Sequence, residues 1–180
     1  MKKLALTDFA KYRYPSALEL SPDGRYLTFA LKEVDREGDG YRWNLWLYDL
    51  ESRESRQITR GDDQRKAVWE DNTHILYKTT ELDEAMRARG FEEEWTVYHR
   101  LNVCTGEDRE AFRLPMSVSG LWKMDEGRYV FMGETHLDRP NLLELTGEAL
   151  EKELVRRQQT KGYKVLTELP LCENGVGMFN

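Results

Sequence analysis

The sequence is poor in the residues from which most catalytic and ligand sites are assembled. It has two cysteines and three histidines in 180 residues. Cys104 and Cys172 lie far apart without CxxC spacing, which excludes a disulfide-stapled fold and a cysteine-zinc module and reads as two reduced thiols of a cytoplasmic protein. His74, His99 and His136 show no HxxH or HExxH spacing, so no metal ligand set is expected. Long hydrophobic runs are absent: none approaches the roughly 18 apolar residues that cross a bilayer. The opening MKKLAL is interrupted by Asp8, Lys11 and Arg13 before the apolar core of a signal peptide forms, so no secretion signal is read. Positive charge is also in deficit. The net charge of -6 and pI near 5.3 repel phosphate backbones and anionic headgroups, so neither nucleic acid nor membrane is an expected partner. The basic cluster Arg156, Arg157, Lys161 and Lys164 stands among glutamates and reads as a solvated helix face.

Motifs for covalent or phosphate chemistry are missing as well. None of Ser16, Ser21, Ser52, Ser55, Ser117 or Ser119 stands in GxSxG, the strained turn that a nucleophile elbow requires. Ser21 belongs to a turn, where its hydroxyl and the Asp23 carboxylate are expected to bond local backbone amides. Cys104 and His99, five residues apart on one predicted strand, point to opposite faces and cannot form a dyad. Gly38-Asp39-Gly40 lacks a following helix and Gly175-Val176-Gly177 lacks a Lys-Ser/Thr, so neither cradles a phosphate. Carboxylates are abundant without a pair that stands out, which leaves a glycosidase reading resting on abundance alone. The expected catalytic, cofactor-binding and metal residues are therefore none, and no cofactor is implied.

What the sequence does contain is strand. Five Trp, nine Tyr and six Phe supply packing groups despite 33% charged residues, enough for one domain with a sizeable core. A short helical segment, with Thr7 as N-cap and Asp8 to Tyr12 following, precedes the first strands. From Tyr26 to Lys32 the apolar Leu27, Phe29 and Leu31 alternate with other residues, predicting a strand with that face the more buried. Trp43 to Leu50 carries large groups on both faces and is expected to be covered on both. The turn Asp49 to Arg53, a short run ending at Gln57-Ile58-Thr59, and Gly61-Asp62-Asp63 close the unit.

The pattern then restarts. Ala67-Val68-Trp69, the turn Glu70-Asp71-Asn72 and the run His74 to Tyr77 repeat the strand, turn, strand order around Ser21-Pro22-Asp23-Gly24. Thr96 to Val103, the turn Cys104-Thr105-Gly106-Glu107 and Arg109 to Leu114 complete a second unit; Leu121-Trp122, the turn Asp125-Glu126-Gly127 and Tyr129 to Met132 begin a third. From Asp23 to Asp71 is 48 residues and from Asp71 to Asp125 is 54, a slightly stretched β-propeller blade. The extra length falls in charged, helix-forming inserts at 83–94 and 148–159. In the second, Glu148 and Lys152, and Glu153 and Arg157, are spaced for i,i+4 ion pairs, with Leu150 and Leu154 on one face. Both inserts are expected as short exposed helices on one rim. The predicted fold is all-β: a partial propeller of about three four-stranded antiparallel blades over 15–62, 63–115 and 116–170, with a fourth beginning at 171–180.

The segments LTDFAKYRYPSALELSPDGRYLTFALKEVD and NLWLYDLESRESRQITRGD, then EEEWTVYHRLNV, HLDRPNLLELTGEALEKEL and GYKVLTELPLCENGVG, occur in an order that resembles a known family. It is the N-terminal β-propeller of peptidase family S9, in the acylaminoacyl-peptidase and dipeptidyl-aminopeptidase-like branch. The resemblance runs along essentially the whole chain. Two stretches depart from it: Glu51-Ser52-Arg53-Glu54 replaces a Thr-Gly type of turn, and Leu171-Cys172-Glu173 replaces a more aromatic stretch. The resemblance implies a propeller of about seven or eight blades followed by an α/β-hydrolase domain carrying Ser, Asp and His. No residue up to Asn180 matches those catalytic positions, so the chain by itself is expected to be inactive, with peptide substrates belonging only to a full-length parent. The alternative is a stand-alone module that self-associates through open blade faces, since three blades cannot close a ring.

Overall fold

In the computed structural model, the described residues are 6–35, 38, 40–79, 95–114, 116–125, 127–134, 140–142, 144–159, 171–173 and 177–179. They fall into two compact units, Met1–Glu144 and Leu145–Asn180.

The first unit opens with a 3-10 helix, Leu6–Lys11, which starts before Thr7 and so places that residue inside the turn rather than at its cap. Strands β1 (Tyr14–Leu20), β2 (Tyr26–Asp35), β3 (Gly40–Asp49) and β4 (Glu54–Gln57) follow, paired in sequence order as a four-stranded antiparallel sheet. Strands β5 (Ala67–Trp69), β6 (His74–Thr79), β7 (Thr96–Asn102) and β8 (Asp108–Leu114) form a second sheet of the same order. Strands β9 (Val118–Lys123) and β10 (Tyr129–Gly133) pair as the start of a third. The first strands of the three sheets are neighbours, β1 beside β5 and β5 beside β9. Consecutive meander sheets standing side by side along their first strands form a partial β-propeller.

The turns form for local reasons that the repeat shares. In the first, the Tyr26 amide donates to Ser21 Oγ (2.9 Å), Ser21 Oγ donates to Asp23 Oδ1 (2.6 Å), and Gly24 takes φ +73°. In the second, the Thr73 and His74 amides both donate to Asp71 Oδ1, at 2.7 and 2.8 Å. The connections from β3 and β7 match more closely still. The Glu51 and Ser52 amides donate to Asp49 Oδ1, and the Cys104 and Thr105 amides to Asn102 Oδ1. Each closes with a residue in the left-handed region, Arg53 (φ +61°) and Gly106 (φ +78°).

Cross-strand partners share a face, so the register shows which side of each strand is buried. In β2, Thr28 and Ala30 face Leu47 and Leu45, and all four are buried. The alternating set Leu27, Phe29 and Leu31 lies on the other face with Tyr48 and Trp46, partly exposed apart from Leu31. The expected burial is thus reversed for β2, and β3 is covered on one face rather than two. The second sheet packs against the side that carries Thr28, Ala30, Leu45 and Leu47, with Tyr26 stacked on Trp69. Its strands are the ones covered on both sides: Ile75, Tyr77 and Leu101 pack with Ala30, Leu45 and Leu47, while Leu76 and Tyr98 pack with Val118 and Leu121.

The second unit holds α1 (Gly147–Gln159) and the antiparallel pair β11 (Leu171–Glu173) and β12 (Gly177–Phe179). The ion pairs Glu148–Lys152 (2.8 Å) and Glu153–Arg157 (2.9 Å) form as spaced. The helix is not wholly exposed, because Glu153 and Leu154 are buried. The insert 83–94, His136, Asp39, Lys161, Lys164, and Gly175 and Val176 lie outside the described residues.

Arg53 occupies a conformation in which a Cβ is strained and glycine is not, and the matching turn already uses Gly106. Arg53→Gly is expected to raise stability by about 0.5–1 kcal/mol, read as an increased urea midpoint with an unchanged m-value.

Candidate functional site

The seams between sheets carry the polar chemistry of the molecule. At the first seam, a bulge in β1 between Ser16 and Glu19, with Ala17 at φ +50°, breaks the ladder. The Glu19 carbonyl then accepts from Thr28 Oγ1 (3.2 Å) and from the Trp69 indole Nε1 (3.1 Å), tying the first two sheets together. Further out, Arg56 donates to the Val103 carbonyl. On the seam side of the second sheet, Asp108 accepts from the Tyr77 hydroxyl (2.5 Å) and meets His99 Nδ1 at 3.0 Å. His74 sits against Asp71 (3.0 Å) and Asn102 (3.2 Å).

At the second seam Glu70 is the centre. Arg100 clasps its carboxylate with two nitrogens, Nη2 at 2.7 Å, and the Tyr129 hydroxyl donates to Oε1 at 2.6 Å. Lys123 donates to the Glu70 carbonyl. Burial pushes the Glu70 carboxyl up, but the hydrogen bonds from Arg100 and Tyr129 and the Arg100 charge outweigh it and hold the group below its ordinary value. The Tyr129 hydroxyl is pushed up to about 12 by burial and by its bond to Glu70. For Asp71 burial acts upward and the Thr73 and His74 donors act downward more strongly, leaving it at about 2.

Two clefts flank these seams. One, of about 300 Å³, opens beside Tyr26, Leu47, Asp49, Arg56 and Cys104 and is mostly polar. The other, of about 260 Å³, lies between the second and third sheets. Cys104 is in the turn after β7 rather than on the strand, and its thiol lies 3.9 Å from the Tyr26 hydroxyl while His99 engages Asp108. Ser21 is 3% exposed and committed to its turn. Among the described residues no group of three or more His, Cys, Asp or Glu is arranged to hold a metal, and no helix is long and apolar enough to cross a membrane. Sequence reasoning did not find the Glu70, Arg100 and Tyr129 cluster. Its members are about 30 residues apart, and only the blade register could have aligned them.

Acidification tests these carboxylates. Both are depressed in the folded state, so their contribution is complete above the ordinary carboxylate range and is lost as pH falls through the folded values, for Asp71 from about 4 toward about 2. Asp71→Asn and Glu70→Gln are each expected to be less stable than the parent at neutral pH and to lose less further stability on acidification in urea melts.

No protein-family model and no curated protein matched the chain. Solved structures did. The β-propeller domain of the Trilobed protease from Pyrococcus furiosus, whose topology is described as open velcro, superposes with TM-score 0.50 at 14% identity over 68% of this chain and 34% of that one. An acylaminoacyl peptidase in complex with Z-Gly-Gly-Phe-chloromethyl ketone gives TM-score 0.58 at 12% identity, covering 96% of this chain and 22% of its own. The uncomplexed acylaminoacyl peptidase of Pyrococcus horikoshii gives 0.57 at 10% identity, covering 95% and 22%. The chain thus spans about a fifth to a third of the structures it resembles. At these identities the likeness is one of fold, and the chain is a partial β-propeller of the kind these peptidases contain.

Proposed function

We propose that the chain is a non-catalytic propeller portion of an S9-like serine peptidase, of the acylaminoacyl-peptidase or dipeptidyl-aminopeptidase-like kind. In the full enzyme this portion gates peptide access to a Ser/Asp/His site on a separate hydrolase domain. The observation that carries this reading is the row β1, β5, β9 of neighbouring first strands, which in a closed propeller line the axial passage. The ordered family segments in the sequence support it, as does the fold likeness to acylaminoacyl peptidases over nearly the whole chain. The nucleotide sequence beyond codon 180 tests it. A GxSxG within an α/β-hydrolase pattern is expected there, and the 180-residue chain alone should take up no fluorophosphonate label. A reading frame that closes without encoding a hydrolase would sink the proposal.

A second reading, self-association through open blade faces, is favoured by one specific observation. Leu20 (53% exposed) on the uncovered side of the first sheet, and Trp122, Val130 and Met132 (45, 51 and 56%) on the uncovered side of the third, are large apolar groups on opposite ends of the row. Light scattering across a concentration series is expected to find a dimer or larger species, which Leu20→Glu shifts toward monomer. A monomer at the highest concentration removes this reading and leaves the first intact.

A further inference from the structure

The row of sheets runs in one sense. At the first seam, the face of the first sheet that carries Ala30, Leu45 and Leu47 meets the face of the second that carries Ile75, Tyr77 and Leu101. At the second seam, the other face of the second sheet, with Leu76 and Tyr98, meets Val118 and Leu121 of the third. Each sheet thus gives its leading face to the trailing face of the next. Two faces are left over, the trailing face of the first sheet and the leading face of the third.

Both have the apolar character of the faces that already meet at seams. On the first sheet, Leu20, Leu27 and Tyr48 stand side by side across β1, β2 and β3, with Phe29 and Trp46 beside them. Leu20 is exposed and the other four are half-buried. On the third, Trp122 stands opposite Val130 and Gly120 opposite Met132, and all three side chains are exposed. The Trp122 ring lies across Gly120, where a Cβ would collide with it, so this face is flat and none of its four positions carries charge. The second sheet stands between the two faces within one chain, so the face that fits each comes from a second copy. Joining them continues the row with the facing order of the two seams already built.

We propose that two copies of the chain close head to tail, with Trp122, Val130 and Met132 of each third sheet seated on Leu20, Leu27, Phe29, Trp46 and Tyr48 of the other copy's first sheet. The inference rests on the self-association reading and adds which face meets which and where assembly stops. Head-to-tail contacts either close into rings or run on as filaments. Two copies supply twice the three sheets of one first unit, within the range of roughly four to eight blades that closes a propeller. A closed pair buries both left-over faces of each copy, whereas a pair that meets through like faces leaves the other kind in water. Apolar stabilisation scales with the area removed from water, which favours the closed arrangement.

The test mixes two variants of the full chain, each altered on a different face. Light scattering of the parent should give twice the 21.3 kDa of one chain, with no further growth as concentration rises. Leu20→Glu and Val130→Glu should each be monomeric alone, because both seams of a closed pair would then bury a glutamate. Their equimolar mixture should recover a species of twice the chain mass, joined through the one seam whose two faces are unaltered. It should dissociate on dilution more readily than the parent, which is held by two seams. Recovery also shows that each variant chain is folded, and Met132→Lys should serve in place of Val130→Glu. A Val130→Glu chain that still pairs by itself, a mixture that is monomeric at the highest concentration, or a parent that lengthens without limit would overturn head-to-tail closure and leave self-association standing. A monomeric parent removes both.

Discussion

The close approach of the first two sheets is the contact on which the rest of the structure depends. β2 presents the small Thr28 and Ala30 to the seam, where Leu45 and Leu47 pack in one cluster with Ala67, Trp69 and Ile75. Packed sheets lie about 10 Å apart, and that spacing is set by the small residues of one face as much as by the large ones of the other. The Trp69 indole then spends its single donor on the Glu19 carbonyl of the neighbouring sheet. Apolar burial and one directional bond thereby act on the same pair of strands, which fixes the second sheet's angle and places its far face for the third.

Much of the fold could be read from residues alone because its signals are local. Strand limits such as Ala67–Trp69 follow from a short apolar run between turn formers, and the Asp-centred turns follow from carboxylates within two or three residues of the amides they accept. The two-residue period could not decide which face of β2 is inside. Leu27, Phe29 and Leu31 are larger than Thr28 and Ala30, and hydrophobicity favours them, but the neighbouring backbone selects for size. The Glu70 cluster was illegible for a different reason: its three members come from a turn and two strands in two sheets, and nothing in the spacing of Glu70, Arg100 and Tyr129 marks them as partners.

The seams differ in character. The first is closed by a larger apolar cluster, whereas the second combines a smaller apolar patch with a carboxylate compensated by Arg100 and Tyr129. A seam whose polar groups are all satisfied behaves as structure.

Among the described residues of the first unit, the first sheet packs on the second and the second on the third, with β1, β5 and β9 neighbours in a row. Such an array resembles a chain of coupled spins, whose cooperativity is carried by nearest-neighbour terms. Damage to the middle sheet cuts both couplings at once, while damage to either end cuts one. The second sheet, and Ile75 and Leu76 at its centre, is therefore where a single lesion would turn one cooperative transition into none, and where sequence drift should be least tolerated.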